Sequence, residues 1–148
     1  MTLAELTACC GSSAWANAMF ARQPFPDAKT LHQAADEVWW SLTDEDWLEA
    51  FSKHPKIGQA SIAKWPAQEQ SGLVAAAERT IEELARLNAE YAARFGFIFI
   101  VCATGKSAAE VLELLRSRIN HSRAEEIRIA AAEQAKITHL RLDKLLTE

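Results

Sequence analysis

The sequence predicts an all-α protein: a single domain, residues 1–148, of about eight helices with one buried irregular or extended segment. Three observations carry this. Ser or Thr followed three positions later by an acid recurs along the chain, and each such pair can satisfy backbone donors reciprocally at a helix start. From Gln68 to Phe95 there is no proline and, after Gly72, no glycine, while Ile81, Leu84, Ala85, Asn88, Tyr91, Ala92 and Phe95 fall at helical spacing. Finally, FIFIVCA at 97–103 is the one run with strong β propensity, and a lone strand has no partner to pair with.

Taken in order, Thr2 with Glu5 opens LAELTA, and Ser12 or Ser13 caps AWANAMFA. After the turn-rich QPFPDA, Thr30 is the expected cap of LHQAADEVWWSL. Thr43 with Asp46 opens EDWLEAF, a run that closes at His54 because the ring of Pro55 disfavours helical geometry at the residue before it. Pro66 suits the first turn of the long helix that ends at Gly96. FIFIVCA then crosses the core as an extended or helical piece. Ser107 with Glu110 opens VLELL, and Ser122 with Glu125 opens the final segment. No repeat, low-complexity tract or long linker divides the chain, and all four prolines fall in the first half, where the irregular connections should cluster.

Composition narrows the function classes. A hydrophobic content of 49% with 24% charged residues suits a folded domain. The net charge of -4 is modest and the basic residues are scattered, which argues against nucleic acid as a partner. The longest apolar runs are far short of the roughly 20 residues that cross a bilayer, so no membrane segment is expected. MTLAELTACCGSS lacks the basic start of a secretory signal and LLTE is not a peroxisomal address, so the expected location is cytoplasmic. Cys9, Cys10 and Cys102 form no CxxC, and no HxxxH pair exists; no metal site is expected, and the cysteines read as small buried hydrophobes.

Three residues stand where chemistry could happen. His54 lies at a helix C-terminus, whose partial negative charge favours imidazolium by about 0.3–1 kcal/mol at an exposed site. Ile57 and Gly58 follow it in a turn that could be rigid, although a helix-ending surface histidine fits the same facts. Glu69 lies near the N-terminal end of the long helix, where it either serves that terminus or returns across one short connection to orient the imidazole. Arg141 falls by helical angle among Ile127, Ala130, Gln134, Ile137 and Leu145, on the inward face. A guanidinium there requires an acceptor, for which a planar bidentate anion, an internal salt bridge and a snorkelling side chain compete. His32, His121 and His139 have no such setting and are expected at the surface.

RQPF at 22–25 with Leu31 and His32, FSKHPKIG at 51–58, EQSGL at 69–73, LNAEYAARFGFIFIVCATGKS at 87–107 and the closing EIRIAAAEQAKITHLRL occur in this order. Together they make a chain that resembles 2-oxo-4-hydroxy-4-carboxy-5-ureidoimidazoline (OHCU) decarboxylase over nearly its whole length. The resemblance implies an all-α homodimer working without metal or organic cofactor on a small ureidoimidazoline, which it converts to (S)-allantoin in urate degradation. It implies that His54 is the catalytic histidine, Glu69 its acidic partner and Arg141 a substrate-binding cation. It further implies that Pro55, Gln70 and the backbone of Phe99, Ile100, Val101, Cys102 and Ala103 line the pocket. Pro66 stands in that pocket region where the family commonly has serine, so a hydroxyl contact from this position is absent or supplied otherwise.

The chemistry agrees with a lack of cofactor motifs. Loss of CO2 from a carbon bearing hydroxyl and carboxylate leaves an electron pair that the adjacent ring C=N can accept, so positioning and proton control are the enzyme's task. Two rival readings keep other residues in play. One is a metal-free hydrolase of a ureide or cyclic amide, using the same His and Glu on water. The other is a non-enzymatic helical binding module whose five tryptophans, Trp39, Trp40 and Trp47 among them, form a partner surface.

Overall fold

The structure, a computed structural model, describes residues 1–54 and 74–147, and of residues 74–77 the backbone alone. Pro55, Pro66, Glu69 and Gln70, and the expected helix start at Gln68, lie outside the described residues. Every regular element among the described residues is helical: α1 (Leu3–Cys9), α2 (Ser13–Arg22), α3 (Ala28–Ser41), α4 (Asp44–Ser52), α5 (Val74–Phe95), α6 (Ala108–Arg118) and α7 (Arg123–Thr147). The all-α class is therefore as the sequence predicts, with seven helices described against about eight expected.

The caps explain where most helices begin. Thr2 with Glu5, Thr43 with Asp46 and Ser107 with Glu110 form reciprocal capping boxes, and Ser122 with Glu125 makes the same pair of bonds ahead of α7. Ser12, not Ser13, caps α2 by accepting from the Trp15 N–H. Thr30 does not cap α3. Asp27 does, accepting from Thr30 N–H at 2.7 Å, so the helix starts at Ala28 with Thr30 inside its first turn. An aspartate is at least as good a cap as threonine, and capturing that N–H lets helical geometry begin earlier. At the far end of α5, Gly96 takes a positive φ of 82° while its N–H donates to Ala92 O, which is how the helix stops.

The chain divides into two compact units, one formed by Met1–His54 with Ile129–Glu148 and the other by Pro55–Arg128. In the first, Leu6, Trp15, Met19, Leu31, Phe51 and Leu142 are fully buried. Its tryptophans are core residues whose ring N–H groups find carbonyls: Trp15 on Ala35 at 3.2 Å, Trp39 on Ala131 at 3.0 Å and Trp47 on Trp39 at 2.9 Å. Among the described tryptophans only Trp40 is exposed, packed edge-on against Trp47.

In the second unit Tyr91 is the hub of an aromatic cluster with Phe95, Phe97 and Phe99, at centroid distances of 4.5, 5.8 and 5.4 Å. Residues 97–103 adopt no regular structure, and Phe97 through Cys102 are buried apart from Ile98, which is half-buried; the irregular segment expected from FIFIVCA is present. Arg118 holds it. Its guanidinium donates to Ile100 O at 2.6 Å and to Glu126 at 2.8 Å while lying 4.4 Å over the Phe99 ring. A buried backbone carbonyl outside any ladder needs such a donor.

Candidate active site

Two short hydrogen-bonded turns deliver His54. After α4 ends at Ser52, Lys53 N–H donates to Ala50 O and His54 N–H to Phe51 O, both at 3.2 Å, while buried Ala50 and Phe51 anchor the helix. Glu49, one turn earlier, accepts from Ser13 N–H and Oγ at 2.8 and 2.7 Å, tying α4 to the start of α2. Gly11 lets the preceding turn approach the Lys53 stem, since a Cβ there would sit 2.8 Å from Lys53 Cβ. The imidazole Nε2 bonds Gln134 Oε1 on α7. Gln134 is fully buried, and its amide nitrogen donates to Thr138 Oγ1, one turn on, at 3.1 Å.

His54 opens on a cavity of about 470 Å³ within the first unit. Ala4, Ala8, Gly11 and Ala50 leave the space, Thr7 adds a hydroxyl, and Lys53, His54 and Arg141 supply the charge-bearing wall. No acid lines it among the described residues. Arg141 is exposed, not on the inward face: the buried stripe of α7 runs through Ile127, Ala130, Ala131, Gln134, Thr138 and Leu142, and Arg141 sits at its edge. Its Nη1 reaches Ala8 O and Cys9 O at 3.4 and 3.5 Å, long contacts to the carbonyl end of α1. Among the described residues it has no carboxylate partner, so the guanidinium is available to an anion in the cavity.

The electrostatics reverse one expectation. The helix end was expected to raise the proton affinity of His54, whereas burial pushes its pKa below the ordinary 6.5, the Gln134 bond offsets part of this, and the Arg141 charge lowers it further. The helix-end field is weak beside the cost of desolvating an imidazolium in a half-buried, cationic setting. Neutral imidazole is the resting form at neutral pH. Burial also raises the Cys9 thiol and pushes Cys10 up to about 11, so neither is a thiolate nucleophile.

The other histidines are not simple surface residues. His32 and His139 stack at 4.6 Å with their Nδ1 atoms in contact, and their Nε2 atoms bond Asp143 and Asp36, each at 2.7 Å. Each carboxylate comes from the opposite helix, so the four residues lace α3 to α7. His121 bonds buried Glu126 at 2.8 Å. Among the described residues, no group of three or more His, Cys, Asp or Glu is placed to hold a metal ion, and no helix is long and apolar enough to cross a membrane.

Of the expected site residues, His54 and Arg141 meet at one cavity. Phe99, Ile100, Val101, Cys102 and Ala103 belong to the second unit. Gln134 was expected only on the inward face, and Lys53 and Gly11 line the cavity without having been expected there. A glutamine on a stripe of core positions was the available signal, because a buried amide must find partners.

The family model for OHCU decarboxylase matches residues 2–143. The chain belongs to the OHCU decarboxylase family. It is 39% identical over 97% of its length to the uric acid degradation bifunctional protein of Arabidopsis thaliana, and 38% identical over 88% of its length to 2-oxo-4-hydroxy-4-carboxy-5-ureidoimidazoline decarboxylase of Xenopus laevis. It spans 47% of the Arabidopsis protein, 28% of a Bacillus subtilis bifunctional relative and 79% of the Xenopus enzyme. Among solved structures, a crystal structure of OHCU decarboxylase in the presence of (S)-allantoin matches with a TM-score of 0.82 at 39% identity, over 97% of this chain and 98% of that one. A crystal structure of (S)-allantoin synthase, at 22% identity and a TM-score of 0.74, shares the fold.

Proposed function

We propose that this chain is a carboxy-lyase that converts OHCU to (S)-allantoin in urate degradation without a cofactor, with residues 1–148 acting as one decarboxylase domain. The observation that carries this is that His54, its pKa lowered by burial and by Arg141, shares one cavity with an Arg141 guanidinium that has no carboxylate partner among the described residues, and that no acid lines the cavity among those residues. Such a cavity favours an anion and leaves a base free to handle its proton.

In this reading Arg141 grips the substrate carboxylate or a ureido oxygen, and Lys53 adds positive potential. Breaking the C–C bond releases CO2 and moves the electron pair toward the adjacent ring C=N, whose nitrogen takes up a proton. His54 accepts the hydroxyl proton as the ring carbonyl forms. A proton delivered to one face of the neighbouring carbon then sets the S configuration. Glu69, Pro55, Gln70, the Pro66 position and the backbone of 99–103 are assigned to the site on the family resemblance, as are the homodimer and a cytoplasmic location.

The test is to supply freshly generated OHCU and follow CO2 together with optical rotation. CO2 release well above the spontaneous rate, with (S)-allantoin in excess, is expected. Ring opening or ureide cleavage without CO2 would mark a hydrolase and overturn the reading; turnover no faster than in buffer would overturn it too.

A further inference from the structure

We propose that Gln134, itself oriented by Thr138, is the positioning residue that sets the tautomer of His54 and so makes Nδ1 the atom that takes the substrate proton. The inference rests on His54 being the acid–base residue of the decarboxylase.

Gln134 is fully buried, where an amide left unpaired would be costly, and both ends of its amide are used. Thr138 Oγ1 accepts from Gln134 Nε2, and the same hydroxyl is hydrogen-bonded to the Cys10 side chain, which as a thiol offers it an acceptor sulfur. A hydroxyl has one proton; given to Cys10 Sγ, it leaves the oxygen to receive the glutamine N–H. The amide is thereby turned with Oε1 toward His54. An amide oxygen can only accept, so the hydrogen of the neutral imidazole sits on Nε2 and the lone pair on Nδ1.

The choice of a neutral partner has its own consequence. A carboxylate at position 134 would impose the same tautomer but hold the imidazolium, raising proton affinity by charge pairing. The amide orients the ring without adding charge. With Arg141 lining the same cavity, the ring is aligned and kept basic but unprotonated.

The tautomer can be read without substrate, from the ¹⁵N shifts of His54 in the 148-residue chain above its titration. A single Nε2–H form is expected; an Nδ1–H form would overturn the proposal even if the enzyme decarboxylates OHCU. Conversely, an Nε2–H form in a protein that releases no CO2 would sink the decarboxylase reading and leave the geometry standing. Gln134→Leu is expected to give mixed tautomers and a kcat lower by roughly 10- to 100-fold with little change in KM, part of the roughly 10²–10⁴ that a positioned base contributes. Gln134→Glu should retain the single tautomer and recover much of kcat, with the acidic limb of the pH profile moved to higher pH. Thr138→Val, which keeps the core volume, should lower kcat less than Gln134→Leu. Wild-type kcat and an unmoved pH profile in both Gln134 variants would contradict the proposal.

Discussion

Two buried polar networks in this molecule solve opposite problems. In the first unit, His54, Gln134, Thr138 and Cys10 form a chain of uncharged groups that ends at an open cavity. In the second, Glu126 is fully buried and gathers Tyr91 at 2.5 Å, Arg118 at 2.8 Å and His121 at 2.8 Å, a closed cluster built on charge. Burial and the glutamate beside it drive the Tyr91 pKa far above its ordinary value. The charged cluster commits Arg118 Nε to Glu126 and Nη1 to Ile100 O, and so fixes the backbone of the irregular segment, while the buried Arg118 Nη2 has no hydrogen-bond partner among the described residues. The neutral chain uses only Nε2 of the imidazole, and among the described residues Nδ1 has no partner, as acid–base chemistry requires.

Breaking each network separates the two roles. His54→Asn is expected to lower kcat for CO2 release by about 10²–10⁴-fold while the helical circular dichroism persists. Near-wild-type turnover would make His54 structural. Glu126→Leu strands the buried Arg118 guanidinium and is expected to cost about 3–5 kcal/mol of stability, read from the denaturant midpoint. A variant that unfolds near the wild-type midpoint would show that the cluster is not structural. A smaller effect belongs to Arg141→Ala, which gives up charge-assisted bonds worth about 1.5–3 kcal/mol and should raise KM roughly 10- to 100-fold with less change in kcat. Unchanged KM and kcat would remove Arg141 from the site.

The same contrast marks what could be read from the sequence. Caps were legible because both partners lie within one turn, as at Thr2 with Glu5 and Ser107 with Glu110. At α3 the expected cap was Thr30, but Asp27, three residues earlier and an equally good capping residue, takes that role. FIFIVCA was recognisable as irregular and buried, but its support by Arg118 depends on a long-range contact. The position of His54 followed from Pro55; its charge state did not, because desolvation comes from residues distant in sequence. Likewise, a helical wheel placed Arg141 one step too far inward, as a few degrees decide between the edge of a buried stripe and its centre. Gln134 lies 80 positions from His54, a pairing that no local pattern reveals.

The central claim is that His54 works as a neutral base, its pKa held below 6.5 chiefly by burial and further by the charge of Arg141. The pH dependence of kcat/KM for CO2 release tests it directly, because this ratio reports the titration of the free enzyme. Protonation removes the base, so activity should persist as pH falls to 6.5 and decline only below it, through the depressed pKa of His54. Activity that instead falls as pH rises through 6.5 would mean that imidazolium is the working form, and would contradict the account.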